Sequence, residues 1–332
     1  MRNNRKQSHL CGWILALSLV SLGATAYAQS VMDAAFPSRP LRLVVGANPG
    51  GNIDVTARIV AKQLAKVLGQ AVVIENRTGA GGAVAFNAVR LAAADPYTLL
   101  MVPTGFTTGP ALNPAGGYDP VKDFTPISTV SYFSYAVAVA AQSPHRSLAD
   151  LLAAARAQPG TIGYGTGGIG SGQHLVAELL SAVTGAKFVH VPYRGGAGPV
   201  QDLISGQIPM IVEIVSILAP HAQAGSIRVL AVTGPARSPM LPGVPTMQEA
   251  GIGDLVVQGW LGVVAPIGIP AGIVDKLNQA LRRTLADAET AAALEKGGAM
   301  PAASSAQEFA ALIASETERW SRVVRDANIQ PR

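Results

Sequence analysis

Cysteine is nearly missing from this chain of 332 residues: the single one, Cys11, lies inside an N-terminal stretch that reads as a removable leader. Without that stretch the chain has no disulfide, no thiol nucleophile and no thiolate metal ligand. Histidine is almost as sparse. Beyond the leader stand His145, His174, His190 and His221, and none pairs with another histidine or an acid at metal-ligand spacing. No metal and no cofactor are therefore expected. Charged residues make up only 14% of the chain, and the net charge left after the leader is too small to call for a nucleic-acid partner. The phosphate-loop pattern G-x-x-x-x-G-K-[ST] is missing, and so is the nucleophile elbow G-x-S-x-G. Beyond the leader no apolar run is long enough to cross a membrane.

The leader has three parts. Arg2, Arg5 and Lys6 are a basic start, Cys11 to Leu22 is a short apolar stretch, and Ala26-Tyr27-Ala28 is a small-x-small cleavage site before Gln29. Residues 1–28 therefore read as a signal peptide, and the mature protein is expected in the periplasm. Positions 1–28 hold three basic and no acidic side chains, so the formal charge falls from +5 to +2 on removal. A charge that small gives no reason to expect an acidic membrane surface as partner.

What the chain has in quantity is glycine, and the glycines cluster at turns between apolar runs and helical patterns. The apolar run Leu41–Val45 breaks into Gly46-Ala47-Asn48-Pro49-Gly50-Gly51, after which Ile53, Ala57, Val60 and Leu64 recur at helical spacing, with Asn52 or Asp54 as the expected cap. A strand, a glycine turn and a helix start bring free backbone N–H groups and a positive dipole end to one point, a seat for a phosphate or a carboxylate. Asn48, Pro49, Gly50, Gly51 and Asn52 are candidates on that ground. A second seat follows Ile162-Gly163-Tyr164. There Gly165-Thr166-Gly167-Gly168-Ile169-Gly170 matches G-x-G-x-x-G and leads through Ser171 into a helix with His174 on its first turn. The dinucleotide reading fails, because Lys187 to Pro199 lacks the acid that would hold a ribose. The anion seat survives. Tyr193-Arg194-Gly195 sets an aromatic ring and a guanidinium at the end of another strand, and Glu213 closes the apolar run IPMIVE.

The whole chain reads as α/β. The order strand, turn, helix, strand over the first hundred residues marks a parallel sheet with helices on its faces. Pro103–Asp123 reads as a long binding loop, and Ile127–Val130 and Tyr135–Ala140 as separate strands. Ser147 with Asp150, and Ser305 with Glu308, are capping boxes that start helices, and Thr246 with Glu249 starts a short one. A second series of strands and helices follows, which predicts two lobes joined by two crossings: residues 36–130 with 241–332, and residues 131–240. Glycine turns on both sides of the cleft between them would close on a small ligand.

These stretches also stand in the order of a known family. FPSRPLRLVV, PGGNIDVTAR, GQAVVIENRTGAGG, YDPVKDFTPIS, GSGQHLVAELL, VPYRGG, RVLAVTGPARSPMLPGVPTMQEAG and GWLGVVAPIGIP run through nearly all of the chain after the leader. In them the chain resembles the Bug-type periplasmic solute-binding proteins, the receptors of tripartite tricarboxylate transporters. The resemblance implies a two-lobed, type II-like periplasmic-binding-protein fold with the ligand cleft between the lobes. It also implies a monomer that is not an enzyme and that passes a small organic acid to the membrane subunits of a transporter. The acid would be a di- or tricarboxylate, an aromatic carboxylate or an amino acid. Carried over by position, the ligand-facing residues are Asn48, Pro49, Gly50, Gly51, Asn52, Thr104, Gly165, Thr166, Gly167, Ser171, His174, Tyr193, Arg194, Gly195 and Glu213. The chain departs from the family pattern at Asn48, at Asp95-Pro96-Tyr97, before Tyr118 and at Glu213, where aspartate is usual. Two other readings stay open: an exported esterase using Ser171, and a receptor that feeds a sensor kinase.

Overall fold

A computed structural model describes residues 36–112, 116–193, 197–253 and 255–329. A ten-stranded mixed sheet runs through the molecule in the order β2-β1-β3-β9-β4-β7-β5-β6, with β8 and the two-residue β10 (Met300–Pro301) also pairing with β4. Strands β1 (Leu41–Val45), β2 (Val72–Asn76) and β3 (Thr98–Pro103) are mutually parallel and lie in one half. Strands β5 (Ile162–Thr166), β6 (Phe188–Pro192) and β7 (Met210–Ile214) are parallel in the other. Between each parallel pair a helix crosses over, as parallel pairing requires: α1 (Asn52–Leu68), α2 (Ala83–Arg90), α5 (Gly172–Thr184) and α6 (Ala197–Ile204).

Strand β4 (Phe124–Ala140) joins the halves. It is one strand of 17 residues where the sequence reads as two. Register shifts near Pro126 and Thr129 break its alternation, which is why the pattern looks interrupted. Up to Ser134 it pairs with β9 (Gln258–Pro266), and from Tyr135 with β7 and β8 (Ile227–Val232). The return crossing, between β8 and β9, is fastened to β4 at one buried side chain. Thr233 Oγ1 accepts from Tyr135 N at 3.0 Å and donates to Val257 O at 2.6 Å.

Both faces of the sheet are covered, so its strands read as continuous apolar runs. Leu41, Leu43 and Val45 of β1 face one layer that continues over both halves and takes in α1, α4 (Leu148–Ala157) and α5, with α8 (Ala271–Ala286). The opposite faces have separate cores. One gathers Phe86, Phe106, Phe124, Trp260 and Phe309, the last from α10 (Ala306–Asp326). The other gathers Leu203, Ile211 and Leu218, the last from α7 (Val215–Gln223). Two lobes with a shared spine result.

Pro103–Asp123 is not a bare loop: it contains α3 (Gly105–Leu112). Its two glycines and Pro110 hide the helix from a propensity reading, but α3 lies against α10. Thr107 and Thr108 return their hydroxyls to the carbonyls of Thr104 and Gly105 at 2.8 and 3.1 Å. The capping boxes at Ser147 and Ser305 are present. At Thr246 the same reciprocal bonds with Glu249 form, yet they close only a turn. The N-cap of α1 is Gly51, not Asn52 or Asp54. Short α9 (Ala288–Lys296) starts on Asp287, whose carboxylate accepts from Thr290 N.

Candidate ligand-binding cleft

The loops after β2, β3, β5 and β6 leave the sheet at their strands' carboxyl ends, where open α/β sheets bind ligands. They enclose a cleft of about 610 Å³ between the halves. One wall is the turn Ala80–Gly82 with the start of α2, the Gly105, Thr108, Gly109 and Leu112 face of α3, and Tyr118. The other is Gly168–Ser171 with Pro192 and Tyr193. The starts of α2, α3 and α5 all reach this cleft, and each presents backbone N–H groups and a positive dipole end. Among the described residues that line it, none is Lys, Arg, His, Asp or Glu. What the described lining offers an anion is backbone dipoles and hydroxyls. The walls touch at one point: a Cβ on Gly170 would lie 2.3 Å from Leu112 Cδ1, so the closure depends on glycine there.

Gly168–Ser171 is held from behind. Ser171 caps α5: its hydroxyl donates to Gly168 O at 2.8 Å and accepts from His174 N at 3.3 Å. His174 is buried, and its Nδ1 accepts from Gly170 N at 3.0 Å. Its ring stacks on His190 with centroids 3.9 Å apart and planes 10° from parallel. Burial, with the His190 ring as second cause, pushes the His174 pKa down to about 3, so the imidazole is neutral. Thr166, also buried, shares a 2.7 Å bond with His190 Nε2 and accepts from Gly168 N. Gly165 lies under the turn against Ile208 and Pro199. Gly167 is half-buried beside it. Tyr193 donates its hydroxyl to Asp202 at 2.5 Å, and burial together with that carboxylate pushes its pKa up to about 12.

The first glycine turn is built differently. Asn48, Pro49, Gly50, Gly51 and Asn52 are exposed and are not among the residues that line the cleft. The turn starts close to the cleft wall, since a Cβ on Gly46 would lie 3.0 Å from Cα of Gly82, which stands between the lining residues Gly81 and Ala83. The chain's own carboxylate occupies part of this turn: Asp54 accepts from Gly50 N at 2.8 Å, from Arg58 through both oxygens at 2.9 Å, and from Asn76 at 2.9 Å. The Arg58 bond leads in pulling the Asp54 pKa down to about 2.

Thr104 and Glu213 are not among the described residues that line the cleft. Thr104 is buried and accepts from Trp260 N at 2.9 Å, tying the start of α3 to β9. Glu213 is buried. Its Oε1 accepts from Gln173 at 2.8 Å and from Ile214 N at 2.7 Å, while Oε2 has no partner among the described residues. Burial raises its pKa. Arg194 and Gly195 lie outside the described residues, as do the leader and its cleavage site. What sequence reading missed is the α3 wall, with Thr108, Gly109 and Leu112, and the half-buried partners His190 and Glu178. Their common signal was weak: a glycine-rich stretch for the first, and isolated polar residues at strand and helix spacing for the second.

A serine nucleophile needs a base that takes its proton. Ser171 instead donates to a carbonyl, and His174 Nδ1 is engaged by the Gly170 N–H, so His174 is not placed as the general base that the esterase reading needs. Known proteins agree. The family model described as tripartite tricarboxylate transporter family receptor matches residues 56–329. A protein of Pseudomonas sp. (strain P51), named UPF0065 protein in tcbD-tcbE intergenic region, is 36% identical over 291 residues and 87% of each chain. Protein BugT of Bordetella pertussis is 33% identical over 315 residues, 94% of this chain and 97% of its own. Among solved structures, R. palustris Rpa4515 with adipate is 35% identical with a TM-score of 0.79, over 90% of this chain and 100% of that one. MatC from Rhodopseudomonas palustris with bound malate is 31% identical with a TM-score of 0.75, over 87% and 100%. The periplasmic binding protein BugD is 29% identical with a TM-score of 0.77, over 90% and 100%. Among the described residues no helix is long and apolar enough to cross a membrane. By sequence order, two-lobed architecture and family match, the chain belongs to the tripartite tricarboxylate transporter receptor family, whose members are periplasmic solute-binding proteins and not enzymes.

Proposed function

We propose that this receptor captures a small organic carboxylate in the cleft between its lobes and delivers it to the membrane subunits of a tripartite tricarboxylate transporter. The observation that carries the reading is the meeting of three helix starts in a cleft whose described lining has no charged side chain. Such a site favours an anion through oriented backbone dipoles. The apolar walls, Phe86, Leu112, Ile169 and Pro192, suit an acid with a hydrocarbon body. Two relatives of known structure hold adipate and malate, which are acids of this size.

On this reading residues 1–28 direct export and are removed near Ala28, and the mature chain works as a monomer. The lobes are residues 36–130 with 241–332, and residues 131–240. They close on the ligand by population shift, and the transporter reads the closed form. The candidate contacts are the first turn, Asn48–Asn52, and the second, Gly165–Ser171, with Tyr193, Arg194 and Gly195 beside them.

A thermal-shift series with adipate, malate, citrate, benzoate and aspartate tests the reading on the mature protein. A ligand at one hundred times its Kd should add about 2.7 kcal/mol of stability and raise Tm by several degrees. If none of these acids moves Tm at millimolar concentration, the carboxylate assignment fails. Uptake of the effective acid by cells should be lost when the chain is deleted, and unchanged uptake would remove the transport role. Intact mass of the exported protein checks the removal of residues 1–28.

A further inference from the structure

We propose that His174 is a positioning residue, which fixes the shape of the Gly168–Ser171 turn through its Nδ1 without touching the solute. Gly168 and Gly170 adopt φ of +131° and +76°, conformations that side-chain-bearing residues rarely take. Glycines reach that shape easily and leave it easily, so the turn needs an external restraint to present the same N–H groups each time. The restraint comes from beneath. The Gly170 N–H points away from the cleft wall into the imidazole of His174, which is 4% exposed and is not part of that wall. Because Nδ1 accepts, it carries no proton, and the ring proton sits on Nε2, which faces Glu178 Oε1 at 3.7 Å. Glu178 is itself fixed by the Tyr164 hydroxyl at 2.5 Å. The ring cannot slide, because His190 lies flat against it and His190 is bonded to Thr166 at the base of the same turn. Three elements, β5, β6 and α5, thus converge on one acceptor lone pair, and that lone pair sets the Gly170 peptide.

The inference rests on the cleft being the solute's seat only for its consequence on affinity, not for the restraint itself. The test therefore has an arm without ligand. In His174→Asn the Oδ1 atom stands where Nδ1 does and can accept the same N–H. In His174→Leu nothing can. Amide hydrogen exchange read by NMR at Gly170, in the absence of any ligand, should stay near wild type in the Asn variant and speed up about tenfold in the Leu variant. Exchange in β1 should not change. Affinity for the acid found by the thermal-shift series should follow the same order, within about threefold for Asn and about tenfold or more weaker for Leu. In the wild type, the imidazole ¹⁵N spectrum should show Nδ1 unprotonated at pH 7, a readout that holds even where the Leu variant does not fold. A protonated Nδ1, unchanged Gly170 exchange in His174→Leu, or an Asn variant as impaired as Leu would each overturn the proposal. If no acid binds the wild-type protein, the receptor reading fails while the exchange comparison still decides the role of His174.

Discussion

The two glycine turns at the helix starts look alike in sequence and are finished in opposite ways. At Gly46–Asn52 the turn is completed by a carboxylate of the chain itself, Asp54, bonded to Gly50 N and held by Arg58 and Asn76. At Gly165–Ser171 it is completed by a neutral ring and a hydroxyl, His174 and Ser171, which bond the turn from inside and leave its outer surface on the cleft. A strand, a glycine turn and a helix create demand for an anion at either place. What fills the demand depends on the side chain one turn into the helix: an acid answers it internally, whereas an imidazole holds the backbone and leaves the cleft side open to a ligand. On the proposed function, the difference makes the second turn the stronger contact for a ligand's carboxylate and the first the weaker one.

The largest test of this contrast is Asp54→Ala. It strands the Gly50 N–H and the Asn76 amide and should lower the unfolding free energy by about 2 kcal/mol in urea titrations. Added acetate or formate should restore part of the loss, because the vacated turn would accept an external carboxylate. An Asp54→Ala protein of unchanged stability would show that the turn has no need of the anion. Next in size is Gly170→Val. Its positive φ costs a β-branched residue about 1–2 kcal/mol, and its Cβ meets Leu112. Affinity for the effective acid should drop about tenfold or more, since the walls can no longer close at that point. Normal affinity in that variant would move the ligand's seat away from the second turn.

Acid should separate the turns as well. The His174 pKa falls from 6.5 to about 3 on folding, so the unfolded chain binds the proton first. Stability from this group is whole above pH 6.5 and is lost as pH falls toward 3. Asp54 falls from 3.8 to about 2, so its contribution is whole above pH 3.8 and is lost only below it. Between pH 7 and 5 the urea midpoint should decline less in His174→Asn than in the wild type, and as much in Asp54→Asn as in the wild type. An equal decline in all three would mean that His174 is not the buried neutral group described. The smallest effect is expected from Gly51→Val. Gly51 has an ordinary φ of −72°, and a Cβ there meets only Asn48 O at 3.3 Å. Stability should stay within about 0.5 kcal/mol of wild type. Affinity should weaken, but less than in Gly170→Val. A loss as large as that one would place the first turn directly against the ligand.

Much of the frame was legible because its signals are local. Apolar runs bounded by glycine gave the parallel strands, and Ser147-x-x-Asp150 and Ser305-x-x-Glu308 gave helix starts whose reciprocal bonds are present. Local signals failed where tertiary packing overrides propensity. Helix α3 has glycines and an internal proline, and α10 packs against it. Strand β4 reads as two strands from its sequence and is continuous because four strands, β9, β10, β7 and β8, pair along it. In the site, the glycine-rich second turn was visible. The direction of each side chain was not: Thr104 turns to Trp260 N, Glu213 to Gln173, and His174 to Gly170.

The sequence by itself determined the α/β class, the family and the two glycine turns, because strand and helix periodicity and turn chemistry act over a few residues. The tertiary structure alone decided which turn faces the cleft and which is filled by its own Asp54. It also decided that His174 is buried behind the second turn and outside the described lining of the cleft, since those outcomes depend on groups far apart in the chain, His174 with His190 and Gly170 with Leu112, being brought within contact.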